Sequence, residues 1–146
     1  MFNWSKDYSV GIDEIDRQHK NFIKLINEIA DLIGKENRIQ IIEIKVKELE
    51  DYAKWHFQTE MLYMKKCKQC SGNQIVENHV KEHNEILEKI ADFRKDIGNF
   101  DADFVTELMV FIKKWFIHHT LGADKKLYDF LKKQNFEEII IKDKKP

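Results

Sequence analysis

Residues 53–63, Ala53-Lys54-Trp55-His56-Phe57-Gln58-Thr59-Glu60-Met61-Leu62-Tyr63, set Ala53, His56, Glu60 and Tyr63 at steps of three and four. Residues so spaced stand over one another on one face of an α-helix. The same stripe continues upstream through Ile42, Val46 and Leu49, so it is the face a helix buries. A histidine and a carboxylate on a buried face are costly unless something coordinates or bonds them.

The pattern recurs along the chain. Ile12, Ile15, His19, Phe22, Ile26, Ile29 and Ile33 predict a first helix, closed by Gly34 and Asn37. The second stripe ends at the Cys67 to Asn73 segment, where Ser71-Gly72-Asn73 reads as a loop. His79, His83, Ile86, Ile90, Phe93 and Ile97 predict a third helix, stopped by Gly98-Asn99. The fourth begins near Asp101 or Asp103 as N-cap and carries Phe104, Val105, Leu108, Phe111, Ile112 and Trp115. With one Pro, at the last position, and five Gly in 146 residues, little interrupts these helices. Short connections force neighbours antiparallel, which predicts an all-α, up-down-up-down four-helix bundle. Residues 1–11 read as an N-terminal arm with Trp4, Tyr8 and Val10 available to pack, and the bundle as about 12–121. In the remaining segment, about 122–146, Lys125 to Lys133 predicts a short C-terminal helix and Lys142 to Lys145 a solvated tail. The length fits one domain, 1–146.

Composition excludes some partners. Lys and Arg number 25 against 26 Asp and Glu, so no net field favours nucleic acid or an anionic membrane. The start, MFNWSKDYSV, lacks a basic region followed by an apolar run, and no stretch approaches the roughly 20 apolar residues that span a bilayer. The expectation is a soluble cytoplasmic protein. Cys67 and Cys70 form a CxxC, but no second CxxC completes a zinc site and Ser71 stands where haem attachment needs His. Two ordinary thiols at a helix end are expected, with a local disulfide as the alternative.

In an antiparallel bundle the candidate ligands meet. His19 lies early in the first helix, His56 with Glu60 late in the second, His79 with His83 early in the third, and His118 and His119 late in the fourth, followed by Asp124. At about 1.5 Å rise per residue all fall within roughly two turns of one level. Imidazole and carboxylate ligands suit iron, zinc, copper or nickel. Five imidazoles and two carboxylates exceed the roughly four ligands of one zinc and point to a dinuclear centre. With both carboxylates bridging and one shared oxygen atom, two octahedral metals wanting about twelve bonds keep one position open for a small ligand. Periodicity does not choose between His118 and His119. Other metal-site patterns fit less of the chain: the Glu-x-x-His pairs of ferritin-like bundles are absent. His79-Val80-Lys81-Glu82-His83 matches the H-x-x-E-H zinc peptidase pattern but leaves the other histidines unused, and Glu82 reads as a charge pair or a solvated position.

At these residues the chain resembles the hemerythrin family, in its single-domain bacteriohemerythrin type. The resemblance runs through Trp4, Val10-Gly11-Ile12, Asp16-Arg17-Gln18-His19, His56-Phe57-Gln58-Thr59-Glu60, His79 to His83, Trp115, His119 and Asp124. It implies an oxo- or hydroxo-bridged centre of two iron ions. One iron, on His79, His83 and His119, would be coordinatively full; the other, on His19 and His56, would bind dioxygen; Glu60 and Asp124 would bridge. The family's five-residue step from histidine to aspartate selects His119 and leaves His118 as a surface or outer residue. That step turns a side chain about 140° away on a regular helix, so Gly122 suggests a bulge or helix end that returns Asp124 to the metals. Phe22, Phe57, Trp115, Phe116 and Leu121 are candidates for the wall of a gas pocket. Thr120, where an aliphatic residue is common, would add a hydroxyl. The function implied is reversible dioxygen binding by a carrier, store or delivery protein rather than an enzyme. A sensor or iron-handling module is the alternative, and a di-iron oxidase or peroxide-reducing enzyme a more distant one. Dioxygen is the expected partner, with no nucleic acid or membrane.

Overall fold

The computed structural model describes residues 1–35, 39–96 and 102–134. Four helices form the bundle: α1 (Asp13–Leu32), α2 (Ile39–Lys66), α3 (Gln74–Lys95) and α4 (Ala102–His119). A π-helical turn, Thr120–Asp124, joins α4 directly to α5 (Lys125–Lys132). α1 packs on α2, α2 on α3, α3 on α4, and α4 back on α1, as the short connections require. The closing signals read at Asn37 and at Ile97 to Asn99, the N-cap at Asp101, and the tail from Phe136 lie outside the described residues. Among the described residues no helix is long and apolar enough to cross a membrane.

The break expected at Gly122 is a widened turn inside a continuing helix. A Cβ there would meet no atom within 4 Å, so the turn does not need the glycine's missing side chain. The other ends follow their sequence signals. Asp13, Glu14 and Asp16 crowd the first turn of α1, where the helix dipole favours negative charge. Asn73 caps α3 by accepting from the Ile75 N–H at 2.8 Å.

The arm is pinned rather than draped. Asn27 exchanges two hydrogen bonds with the Phe2 backbone, at 2.9 and 2.7 Å. The Val10 N–H donates to Asp16 Oδ1 at 2.9 Å, and Lys132 Nζ donates to the Val10 carbonyl at 2.6 Å. Gly11 turns this corner at φ +78°, and a Cβ there would strike the Lys132 side chain. Phe2 and Tyr8 then meet Phe116 edge-on, with centroids 5.6 and 6.0 Å away. A single 3-10 turn, Lys6–Tyr8, interrupts the otherwise extended arm.

Cys67 and Cys70 are paired as a disulfide, not held as the two thiols expected. A 3-10 turn over Lys68–Cys70 sets their Cα atoms 5.3 Å apart, within the span a disulfide bridges. Sequence spacing does not reveal that turn.

The buried apolar side chains form two clusters. The larger contains Phe22, Ile26, Ile29, Val46, Leu49, Ala53, Phe57, Ile86, Ile90, Leu108, Ile112 and Phe116. The smaller contains Val10, Ile12, Ile15, Tyr63, Met64, both cysteines, Leu127, Tyr128 and Leu131. Each helix crossing between them carries polar residues at the crossing: His19 between Ile15 and Phe22, His56 and Glu60 between Ala53 and Tyr63, His79 and His83 between Val76 and Ile86, and His119 and Asp124 between Phe116 and Leu127. A polar layer thus lies sandwiched inside an apolar bundle, closed to bulk water at both ends.

Candidate metal centre

Five imidazoles and two carboxylates fill that layer, all buried. Glu60, His79, His83, His119 and Asp124 form one group, and His19, His56 and Glu60 a second, with potential ligand atoms inside each group within 4.8 Å of one another. Glu60 Oε1 lies 3.2 Å from His56 Nε2, 3.3 Å from His79 Nε2 and 3.1 Å from His83 Nε2. Asp124 faces both groups: Oδ1 is 3.0 Å from His119 Nε2 and 3.3 Å from His79 Nε2, while Oδ2 is 3.3 Å from His19 Nε2. His19 and His56 bring their Nε2 atoms within 3.1 Å.

Three imidazole nitrogens converging on one Glu60 oxygen also have the spacing of ligands around an ion. Two ligands at right angles around one ion, each at a bond length of about 2.1 Å, stand about 3.0 Å apart. Several of the close atoms, namely His83 Nε2, His119 Nε2 and both Asp124 oxygens, are fully buried and lack a hydrogen-bonding partner. Buried polar atoms left in this state are costly, and a cation in each of the two groups would satisfy all four.

Electrostatics point the same way. Burial pushes His19 and His83 down to about 4, so both imidazoles stay neutral with a lone pair to offer. Burial opposes the charge on His119 as well, but the Asp124 carboxylate and the hydrogen bond to Glu82 outweigh it and push this residue up to about 10. Burial likewise opposes ionisation of Glu60, yet the adjacent His56 and His79 hold its carboxyl well below the usual range. The layer therefore contains carboxylate charge that only histidine protons or a cation can balance.

The π turn places Asp124. An extra residue in the turn compensates for the five-residue step from His119, and the Ala123 carbonyl in the same turn lies 3.4 Å from His79 Nδ1. Three further residues, unassigned by the sequence pattern, hold the layer from outside. Gln18 Oε1 accepts from His56 Nδ1 at 2.6 Å. Tyr128 donates to Glu60 Oε2 at 2.6 Å, its phenol kept protonated by burial and by the Glu60 and Asp124 carboxylates. Glu82, read as a charge pair or a solvated position, is a charge pair, and its partner is the site histidine His119, from whose Nδ1 it accepts at 2.9 Å. Tyr63 donates to Glu14 at 2.8 Å in the layer above.

A cavity of about 10 Å³ opens beside His19 and His56, bounded also by Phe22, Phe57, Trp115, Phe116, His119, Thr120 and Asp124. Leu121, considered for this wall, is 43% exposed and does not line it. One position along a helix turns a side chain about 100°, which carries Leu121 outward from buried Thr120. His118 is exposed for the same reason, next to buried His119.

Bundle and polar layer together define a cation-binding four-helix protein. Residues 10–131 match the hemerythrin HHE cation binding domain, and the chain belongs to the hemerythrin family. It is 28% identical over 134 residues to a bacteriohemerythrin of Clostridium acetobutylicum, covering 88% of this chain and 100% of that protein. A bacteriohemerythrin of Pseudomonas aeruginosa is 27% identical over 147 residues, covering 97% and 87%. A crystal structure of wild-type hemerythrin superposes with a TM-score of 0.74 at 23% identity, covering 88% of this chain and 96% of that one, and shares its fold.

Proposed function

We propose that this chain holds two iron ions, one on His79, His83 and His119 and the other on His19 and His56, with Glu60 and Asp124 shared, and that it binds dioxygen reversibly. The observation that carries the reading is the placement of the small cavity. It adjoins the group with two histidines, His19 and His56, and its apolar walls are Phe22, Phe57, Trp115 and Phe116. Of the group with three histidines, His119 and the shared Asp124 line it, and His79 and His83 do not.

Iron supplies the electron exchange with dioxygen that no side chain here can supply. The protein's part is selection and protection. A space of about 10 Å³ is on the scale of one water-sized molecule, which favours a diatomic ligand over an organic substrate and supports a binding role over an enzymatic one. The aromatic wall excludes bulk water from the layer, and Tyr128 and Gln18 keep Glu60 and His56 in one orientation each.

The test is metal analysis of protein made with iron available, followed by absorption spectra of the anaerobically reduced protein before and after admission of air. About two irons per chain and a spectrum that reverts on removing dioxygen are expected. One zinc with negligible iron, or a single irreversible oxidation, would refute the proposal.

A further inference from the structure

The outer nitrogens of three site histidines meet acceptors of different charge, while His19 Nδ1 is buried and meets none among the described residues. His56 Nδ1 is held by the neutral amide of Gln18 at 2.6 Å, and His79 Nδ1 lies 3.4 Å from the neutral carbonyl of Ala123. His119 Nδ1 is held by the carboxylate of Glu82 at 2.9 Å. Trp115 also stacks flat on the His119 ring, with centroids 4.4 Å apart and planes at 12°. The ring is thus clamped on its face and its edge. With Nδ1 donating to Glu82, Nε2 is the nitrogen left to face the candidate metal group, and that atom stands 3.0 Å from Asp124 Oδ1.

Glu82 departs from its neighbours in a second way. It precedes His83 on α3 but turns outward, 27% exposed, into a groove of about 350 Å³ bordered also by Asn78, Lys81, Glu85, Trp115 and His118. Water in that groove lets Glu82 keep its charge while its Oε1 reaches a buried imidazole. A carboxylate accepting from one ring nitrogen increases the basicity of the other, strengthening its bond to a metal and favouring the metal's higher oxidation state. A neutral amide has a weaker effect of the same kind.

We propose that Glu82 is a positioning residue that acts through His119 to widen the difference between the two metal positions, so that the position on His79, His83 and His119, already richer by one histidine, binds still more tightly and is harder to reduce than the position on His19 and His56. The proposal rests on the two-metal reading above. It goes beyond the ligand set, because it assigns part of the difference between the positions to a side chain outside both groups of candidate ligands.

Cobalt(II) titration of the metal-stripped protein, followed by absorption, tests it without dioxygen. The number of ions bound by the wild type reports on the two-metal reading. The ratio of constants between variant and wild type reports on Glu82 separately. Glu82→Gln keeps shape and removes charge; it should weaken one of the two cobalt constants by roughly ten- to a hundredfold and leave the other within about twofold. Iron-loaded Glu82→Gln should show a more positive reduction potential than the wild type. Glu82→Asp, which restores the charge on a shorter arm, should recover part of both effects, and Glu85→Gln in the same groove should match the wild type. Cobalt constants that fall together or not at all in Glu82→Gln, or an unchanged potential, would overturn the proposal.

Discussion

The Tyr128 hydroxyl and Glu60 Oε2 are 2.6 Å apart, while the other oxygen of the same carboxylate faces three imidazoles. Only one Glu60 oxygen therefore points into both histidine groups, whereas Asp124 directs one oxygen to each. The two carboxylates, equivalent in a ligand count, are unequal in space. Tyr128→Phe would leave a fully buried carboxylate oxygen without its donor, a loss of about 1–3 kcal/mol. In metal-stripped protein, urea unfolding should register that loss. In loaded protein the loss should shrink, because the freed oxygen can turn to a metal. Equal losses in the two states would show that Glu60 does not reorient.

Replacing either carboxylate by Ala should disturb the metal pair as a whole, since Glu60 and Asp124 each touch both histidine groups. Metal content well below that of the wild type is expected in Glu60→Ala and in Asp124→Ala. The exposed neighbour His118 provides the control, and His118→Ala should load normally. Full loading with an unchanged spectrum in Glu60→Ala would remove that residue from the shared position.

Stability of the metal-stripped protein should depend on pH in both directions. The folded-state values of His19 and His83, near 4, lie below the ordinary 6.5. As pH falls from about 6.5 to 4 the unfolded chain takes up protons that these buried rings refuse, and stability is lost. His119 acts oppositely. Its folded value near 10 gives stability that is complete below about 6.5 and fades as pH rises toward 10. Urea midpoints should therefore peak near neutrality and decline by pH 5 and by pH 9, and bound metal should flatten the high-pH side by replacing the His119 proton. A midpoint rising steadily from pH 5 to 9 would mean that the raised His119 does not govern the alkaline limb.

The bundle and the polar layer were legible because both are written in one period. His19, His56, Glu60, His79 and His83 occupy stripe positions otherwise held by apolar side chains, so their helix faces and common level follow from spacing alone, whereas spacing left His118 and His119 as alternatives. Asp124 was a candidate by its position after the histidine pair, but it is off that period, and its place in the site rested on a family resemblance because a π turn has no strong sequence signal. Gln18 and Glu82 each precede a site histidine by one position yet bond to a histidine on another helix. A rotation of about 100° takes them off the buried stripe, where a polar residue looks like ordinary surface. Tyr128, four residues beyond Asp124 on the same face, carried a usable signal: a polar-tipped aromatic on a buried stripe needs a partner. The disulfide stood only as the alternative to two thiols, because it depends on a 3-10 turn rather than on spacing.

Thr120 places a hydroxyl-bearing side chain on the wall of the cavity beside His19 and His56, where it is buried next to His119. The other wall residues that are not site ligands are Phe22, Phe57, Trp115 and Phe116. A hydroxyl in such a space can hold a water or donate to a bound diatomic molecule. Water or a proton donor near the metals favours departure of reduced oxygen over return of dioxygen, leaving the iron oxidised. Thr120→Val keeps the branched shape and deletes the hydroxyl, so it should lengthen the lifetime of the dioxygen-loaded protein with little change in iron content. The readout is stopped-flow decay of the dioxygen-bound spectrum, with wild type and variant compared at the same pH and temperature. Identical decay in the two proteins would show that the Thr120 hydroxyl plays no part in dioxygen retention, and that loss of the bound state is controlled by the aromatic wall.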